Sequence, residues 1–252
     1  MTLRPEGTAP ICRAYVEHGM HKWPQPVKLW YYCPMFRYER PQAGRYREHY
    51  QLGAEAIGSA APEVDAEVIA MLAQLFTELG VGGLRLAVNS MGDAACRPAY
   101  VDALRDDLRR REDEICDDCR ERLELNPLRV FDCKVESCRA VLDEAPHIDA
   151  RLCPECRAHF DTVLELLRRV GLDPQIDFRL VRGLDYYTRT TFEFSSDQLG
   201  AQGGVGGGGR YDGLVEQIGG PPTPGVGFGS GLERIALAMG EREVPASASA
   251  AF

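Results

Sequence analysis

Apolar residues between Pro62 and Leu79 recur at intervals of three and four, which is the periodicity of one face of an α-helix. Pro62 favours a helix start, because the first helical turn needs no amide donor at that position. This segment is therefore predicted to be a helix that packs one face against a core. Other helices are predicted at residues 9–18, 211–218 and 232–239.

Aromatic and alternating residues predict strands. The stretch KLWYYCPMFRY at 28–38 is rich in aromatic residues, and the turn residues Pro41 and Gly44 separate it from a second strand at 49–58. These two strands are predicted to form an antiparallel hairpin. In RGLDYYTRTTFEF, Thr and Phe at alternate positions share one face of a strand, and a polar cluster precedes them. Further strands are predicted at 84–92, 177–180, 187–194 and 225–231.

The character of the chain changes at about residue 93. From there to about 170, charged helical segments are interrupted by cysteines and by an Asn-Pro break. We interpret this part as a mainly helical insertion into an α+β domain, since strands that neighbour each other in sequence favour an antiparallel sheet flanked by helices. The predicted parts are a first core segment at 1–93, the insertion at 94–170, a second core segment at 171–242 and a tail or linker at 243–252.

The 252-residue chain has a formal net charge of −9 at pH 7, which argues against nucleic-acid binding through a uniformly basic surface. No apolar stretch reaches the ~20 residues of a membrane span, and the N-terminal segment is charged where a signal peptide needs an apolar core. Most of the nine cysteines fall between Cys116 and Cys156, which favours thiols or a metal in a reducing compartment. We expect a soluble, cytoplasmic protein without a membrane partner.

Arginines are the candidate ligands for a polyphosphate. The glycine tract at 203–209 lacks the strand-helix-strand context of a dinucleotide fold, and a GxxxxGK[ST] loop is missing from the sequence. Arg37, Arg182 and Arg234 each stand beside a turn or a glycine. Guanidinium groups bind phosphate bidentately, so their convergence would favour a nucleoside triphosphate. Each also has an acidic neighbour in sequence, which leaves surface ion pairs as the alternative.

Two Cys-x2-Cys pairs stand at the ends of the cysteine-rich segment, with Cys133 and Cys138 between them. Paired cysteines at this spacing are typical of tetrahedral zinc. Free buried thiols are the alternative interpretation. The predicted ligands of a structural Zn²⁺ are Cys116, Cys119, Cys153 and Cys156.

Six ordered stretches resemble the class II aminoacyl-tRNA synthetase core, and specifically the histidyl-tRNA synthetase family. MFRYERPQAGRYREHYQLGAE is similar to the second class motif of that family and GVGFGSGLERIALAM to the third. LVRGLDYYTRTTFEF and GGRYDGLV are similar to two stretches peculiar to the histidine enzymes, and TLRPEGT and NPLRVFDCK match as well. The resemblance extends over residues 2–240. It implies a class II antiparallel sheet and an enzyme that activates L-histidine with ATP and Mg²⁺ and transfers it to tRNA(His).

The resemblance also implies residue roles. Arg37, Arg182 and Arg234 are expected to be catalytic, through contact with phosphate charge. His49 stands where the family has a phenylalanine that stacks on adenine, so either His49 or Tyr50 would take that role. The expected ATP-binding residues are Arg37, Glu39, His49 and Arg234. The expected histidine-binding residues are Glu6, Thr8, Gln51, Glu55, Arg182, Tyr186, Tyr187 and Tyr211.

The same resemblance implies segments beyond both ends of the sequence. The first class motif, which forms the homodimer interface, would precede Thr2, and the anticodon-binding domain would follow Met239. We therefore expect weak or no aminoacylation by these residues alone, and an exposed apolar face. The alternative is a catalytically inactive paralogue that serves as the regulatory subunit of ATP-phosphoribosyltransferase, although such proteins generally lack RGLDYY and GRYDGL. A small-molecule ligase on the same fold is a third reading.

Overall fold

A computed structural model of the chain describes residues 3–38, 40–41 and 44–240, without the side chains of 200–202, so the predicted tail at 243–252 lies outside it. The strands are β1 (Val27–Phe36), β2 (Glu48–Ile57), β3 (Leu84–Ser90), β4 (Pro174–Ile176), β5 (Thr188–Ser196), β6 (Gly204–Arg210) and β7 (Gly225–Gly231). The α-helices are α1 (Thr8–Glu17), α2 (Pro62–Glu78), α3 (Arg97–Arg110), α4 (Asp117–Leu125), α5 (Glu136–Asp143), α6 (Pro154–Arg169), α7 (Leu214–Gln217) and α8 (Leu232–Met239). None of these helices combines the length and the apolar character that crossing a membrane requires.

The described strands form one seven-stranded sheet in the order β1-β2-β7-β6-β5-β3-β4. Neighbouring strands are antiparallel except β3 and β4, which run parallel. The predicted hairpin is confirmed, since Val27 pairs with Ile57 and Phe36 with Glu48. The predicted α+β class is confirmed too, with the difference that one edge of the sheet is parallel.

The strand predicted at 177–180 is wrong. The edge strand is Pro174–Ile176, and the chain turns at Asp177. The Asp177 carboxylate accepts a hydrogen bond from the Arg179 amide at 3.0 Å, and the Asp177 carbonyl accepts one from the Leu180 amide at 2.9 Å. Aspartate ends strands in this way because its side chain offers the backbone a local alternative to the ladder.

The glycine tract forms the central strand β6, which the sequence pattern did not predict. β6 pairs with β5 on one side and with β7 on the other. A Cβ at Gly208 would overlap the carbonyl oxygen of Gly227 on β7, so the close approach of these strands requires glycine. The helix predicted at 211–218 is correspondingly shorter, Leu214–Gln217.

One face of the sheet packs against α2 and α6. The amphipathic helix predicted at 62–79 is confirmed, and Pro62 starts it. Although α6 lies in the range predicted for the insertion, its apolar face packs on the sheet, and the division into domains stays a prediction. The shared core includes Ile69, Leu72 and Phe76 of α2, Phe160, Val163 and Leu167 of α6, and Val88, Phe192 and Phe228 of the strands.

A fully buried ion pair joins α2 to β6. Arg210 Nε lies 3.1 Å from Asp65 Oδ2, and Arg210 Nη1 donates to the Ser59 carbonyl at 2.9 Å. His159 of α6 lies 3.6 Å from the same carboxylate. Burial acts to raise the pKa of Asp65, but the nearby His159 and the hydrogen bonds from Arg210 outweigh it and lower that pKa. The carboxylate therefore stays ionised and ties three elements together.

The insertion has a smaller core of its own, and it contacts the segment that precedes β5. The Asn126 side chain accepts a hydrogen bond from the Leu128 amide at 3.2 Å, which starts the 3-10 helix Pro127–Asp132. The side-chain Nδ2 of Asn126 donates a hydrogen bond to Asp185 Oδ1 at 2.8 Å. The residues of this core include Tyr100, Leu104, Leu108, Cys119, Leu123, Val130, Cys138 and Leu142.

Candidate functional site

The sheet face opposite α2 carries a polar cavity of about 420 Å³. The structure brings Arg37, Arg182 and Arg234 together on its wall. Three guanidinium groups around one hollow make a site for an anion with several negative oxygens. The lining also includes His49, Gln51, Lys134, Glu193 and Glu233.

The alternation of β2 explains which residues reach this face. Ala54 and Ala56 point into the core against α2, so the odd-numbered positions of the strand point the other way. His49 and Gln51 line the cavity, and Glu55 follows farther along the strand. One strand therefore presents polar groups for two adjoining parts of a site.

Arg182 is held from two directions. Its Nη1 lies 2.6 Å from Glu193 Oε2 on β5, and a Cβ at Gly207 would lie 3.1 Å from the same nitrogen. The guanidinium therefore rests directly on β6. From the insertion, Arg129 Nη1 donates to the Arg182 carbonyl at 3.4 Å. Glu193 and β6 thus restrict the Arg182 side chain, while Arg129 restricts its backbone.

His49 and Tyr50 face different surroundings. His49 lines the cavity, whereas the Tyr50 ring stacks on Tyr32 with centroids 5.4 Å apart. Burial, followed by the charge of Arg37, lowers the pKa of His49, so its imidazole is neutral near pH 7. Of the two candidates for adenine stacking, His49 is thus on the cavity. Glu39 lies outside the described residues.

A second group of predicted residues surrounds the buried Glu55. The Thr8 hydroxyl donates to Glu55 Oε1 at 2.7 Å, and the Tyr211 hydroxyl donates to Oε2 at 2.7 Å. Glu6 stands before α1, where its carboxylate accepts hydrogen bonds from the Thr8 and Ala9 amides at 2.7 and 3.0 Å. The two glutamates therefore lie on either side of Thr8.

Tyrosine rings enclose this carboxylate pair. The Tyr186 ring lies 4.8 Å from that of Tyr187 and 6.1 Å from that of Tyr211, edge to face in the second case. The Tyr186 hydroxyl lies 3.4 Å from Glu6 Oε2. Burial raises the pKa of all three phenols, so each remains a neutral hydroxyl at physiological pH. The result is a buried cluster of carboxylates and hydroxyls between aromatic rings, the carboxylate cluster.

Burial raises the pKa of Glu55 to about 8, although the hydrogen bonds from Tyr211 and Thr8 oppose it. The charge of Glu6 is a further, smaller cause of the increase. Near pH 7 the carboxyl group is thus mostly protonated. An entering cation favours the ionised form, so cation binding and proton release are linked at this group.

Glycines of β7 make room for these side chains, which lie flat on the strand. The spacing G-x-G-x-G in a strand was the available signal, because it places all three glycines on one face. Cβ atoms at Gly225, Gly227 and Gly229 would overlap the side chains of Tyr211, Glu55 and Gln51, respectively.

The predicted zinc ligand set is wrong as a set. Cys116 and Cys119 belong to one group of close side chains with Cys133 and Cys138. Cys153 and Cys156 belong to another, with Asp93 and Cys96. The spacing within a Cys-x2-Cys pair does not show which other cysteines lie near it. The fold places α4 beside α5, and it places the start of α6 near the end of β3.

Some residues of the cavity and of the carboxylate cluster were not predicted from the sequence. Lys134 and Glu233 line the cavity without belonging to any predicted role. Glu193 could have been found, because it lies on the strand face opposite Phe192 and Phe194. Tyr31 gave no signal, yet Cβ atoms at Gly7 and Gly53 would overlap its ring, and burial raises its pKa beside Glu55 and Glu6.

Comparisons with known proteins show which family this chain resembles. The family model for histidyl-tRNA synthetase matches residues 1–235. The histidine–tRNA ligase of Natranaerobius thermophilus is 54% identical over 245 residues, which are 97% of this chain and 58% of that protein. The histidine–tRNA ligase of Dehalococcoides mccartyi is 54% identical over 237 residues, which are 94% of this chain and 57% of that protein.

Solved structures show the same fold. The apo histidyl-tRNA synthetase of S. aureus has a TM-score of 0.75 and 41% identity, covering 94% of this chain and 57% of that one. A Bacillus halodurans protein described as an ATP phosphoribosyltransferase regulatory subunit/histidyl-tRNA synthetase has a TM-score of 0.66 at 24% identity over 95% of this chain and 65% of that one, which shows the fold alone. The chain spans less than two thirds of the length of these relatives. The match of the family model over most of the chain shows that it belongs to the histidyl-tRNA synthetase family.

Proposed function

We propose that this chain is the catalytic core of a histidine–tRNA ligase. In the first step, L-histidine attacks the α-phosphate of ATP to give histidyl-adenylate and pyrophosphate. In the second, the adenylate transfers its histidyl group to the terminal ribose of tRNA(His) and releases AMP. The observation that carries the proposal is the pairing, on one sheet face, of an arginine-lined cavity with the buried carboxylate cluster.

The arginine-lined cavity is the proposed ATP site. Arg37 and Arg234 bind the phosphates, while Arg182 stabilises charge on the α-phosphate and on the histidine carboxylate as the new bond forms. Arg182 suits this role because contacts from Glu193 and Arg129 already fix it, so little reorganisation is needed at reaction. His49 is the proposed stacking partner of adenine.

Mg²⁺ fits this cavity through its carboxylates. Glu193 and Glu233 line the wall and offer the oxygen ligands that Mg²⁺ prefers. When bound with ATP, the ion supplies charge neutralisation at the phosphates. Glu193 is paired with Arg182 and Glu233 accepts a hydrogen bond from the Tyr50 amide, so Mg²⁺ would have to share both carboxylates with these partners.

The carboxylate cluster is the proposed histidine site. The α-ammonium group binds between Glu6 and Glu55, where charge matching compensates its loss of water. Thr8 and Gln51 are the other proposed polar contacts of histidine. Tyr186, Tyr187 and Tyr211 surround the imidazole, which needs a donor and an acceptor on opposite sides. Amino acids that leave those polar groups unpaired would be rejected.

A homodimer is the proposed state of the full-length protein. β1 lies at the edge of the sheet, and Trp30 and Tyr32 on it are 74% and 54% exposed. Large exposed aromatic residues at an edge strand favour coverage by a protein surface. A second copy is the proposed cover, and tRNA(His) is the proposed macromolecular substrate.

ATP–pyrophosphate exchange with each amino acid in turn tests the activation step without tRNA. Exchange that depends on histidine is the expected result. Exchange with a different amino acid would overturn the substrate assignment. An inactive chain that instead associates with an ATP-phosphoribosyltransferase would support the regulatory alternative over the enzyme.

A further inference from the structure

Four cysteines of the insertion converge, although they come from separate elements. Cys116 precedes α4 and Cys119 lies within it, Cys133 follows the 3-10 helix Pro127–Asp132, and Cys138 lies in α5. Their Sγ atoms all lie within 4.8 Å of one another, and three of the four side chains are buried. Cys116 Sγ and Cys133 Sγ are 3.8 Å apart.

These separations match a metal site rather than a disulfide. Sulfur atoms of a disulfide are about 2.05 Å apart. Four thiolates at about 2.3 Å from a central zinc ion, at the corners of a tetrahedron, are ~3.8 Å from each other. We propose that Cys116, Cys119, Cys133 and Cys138 bind one Zn²⁺ as a structural tetrathiolate site.

The surroundings fit the charge of such a site. Binding releases the thiol protons to solvent, and a Zn²⁺ ion with four thiolates carries a net charge of −2. The Cys116 amide already donates to Cys138 Sγ at 3.1 Å. Arg139 Nε donates to the Cys133 carbonyl at 3.5 Å and brings a positive charge beside the cluster. Backbone donors and a cation of this kind stabilise metal-bound thiolates.

The second group is a poorer candidate. Asp93 of that group already accepts a hydrogen bond from the Ala95 amide at 3.0 Å, and its other oxygen lies 3.4 Å from Arg189. A metal there would have to compete with the guanidinium for the carboxylate. In the part of the chain that the structure describes, no guanidinium group is paired with the Sγ atoms of Cys116, Cys119, Cys133 and Cys138.

The zinc site would hold the part of the insertion that contacts the sheet. Lys134, next to Cys133, lines the arginine cavity, and Arg129 donates to the Arg182 carbonyl. The core of the insertion is small, and small cores gain stability from a metal that crosslinks their elements. The proposed metal thus positions Lys134 and Arg129.

The test is metal analysis of the chain purified without chelator, together with Co²⁺ exchange. We expect zinc in the purified protein and, after exchange, the intense visible absorption of tetrahedral tetrathiolate Co²⁺. Cys133→Ser and Cys138→Ser should each lower the zinc content by about one ion per chain. Cys33→Ser, which changes a cysteine outside both groups, should leave zinc and the Co²⁺ spectrum unchanged.

The same measurements can overturn the proposal. It fails if the purified chain takes up no zinc from added Zn²⁺, or if Cys133→Ser retains all of the zinc that the unchanged protein holds. It also fails if Cys153→Ser, and not Cys133→Ser, removes the tetrathiolate Co²⁺ spectrum. Should a serine variant not fold, Zn²⁺ titration of the chelator-treated original chain still decides between binding and no binding.

Discussion

The sheet and the insertion fix their side chains by different means. On the sheet, a large apolar core beneath the strands and a buried ion pair hold the face on which Arg182 and Glu55 lie. The insertion has a smaller core in which buried thiols take positions that aliphatic residues occupy elsewhere. Yet it reaches the site through Arg129 and Lys134.

This difference separates residues that do chemistry from residues that hold them. Substitutions on the sheet face should abolish activity without unfolding the chain, whereas substitutions beneath the sheet should unfold it. Substitutions in the insertion should have smaller effects on activity, because they act on the site only through a few contacts.

The largest effect is expected for Arg182→Ala. Removing a preorganised guanidinium from developing phosphate charge should lower kcat/KM for ATP–pyrophosphate exchange by roughly 10³-fold, or about 4 kcal/mol. Arg179→Ala is the matched control, because Arg179 lies shortly before Arg182 in the sequence and forms an exposed ion pair with Asp143. Equal losses in both variants would remove the special role of Arg182. Thermal unfolding should be similar for both.

Arg210→Ala should unfold the protein more easily without touching the cavity. It leaves the buried carboxylate of Asp65 without its guanidinium partner, which should lower the free energy of unfolding by about 3–5 kcal/mol. Urea denaturation measures this. Arg169→Ala removes an exposed ion pair with Glu165 and should cost less than about 1 kcal/mol. If the two variants were equally stable, the buried pair would not be the tie that we describe.

Much of the sheet could be predicted because its hairpin and amphipathic helix follow simple periodicities. α2 repeats every three to four residues, and the strands around Pro41 and Gly44 are marked by turn residues. The glycine strand β6 could not be found in that way. Its residues have no side chains to alternate, and only the overlap with β7 explains them.

The site was predictable by residue type but not by arrangement. Arg182 could be selected from the chemistry of its guanidinium group, whereas Glu55 and Tyr211 were selected only through the resemblance to the family. Which cysteines share a site depends on how helices pack, and the spacing of Cys116 and Cys153 contains no such information. The pKa of Glu55 could not be predicted either, because burial of a carboxylate is a property of the fold.

The pH dependence of histidine binding tests that buried carboxyl group. Because the pKa of Glu55 is about 8 and an ammonium ligand needs the carboxylate, the KM for histidine should fall as pH rises from about 6.5 to 8, by up to about tenfold per pH unit. Above the pKa the curve should level off. Glu55→Gln should raise the KM and remove the slope. A KM for histidine that rises over this range would contradict the proposed ammonium contact.

The smallest effect is expected for Arg129→Ala in the insertion. Loss of its hydrogen bond to the Arg182 carbonyl should raise the KM for ATP about fivefold, since one hydrogen bond contributes about 1 kcal/mol. Arg120→Ala, which removes an exposed ion pair with Asp117, is the control and should leave the KM unchanged.

If zinc holds this segment, chelator treatment of the original chain should raise the KM for ATP at least as much as Arg129→Ala, and added Zn²⁺ should restore it. A chelated chain with an unchanged KM for ATP would mean that the apolar core alone keeps Arg129 in place, and the contrast between the two regions would then be one of size only.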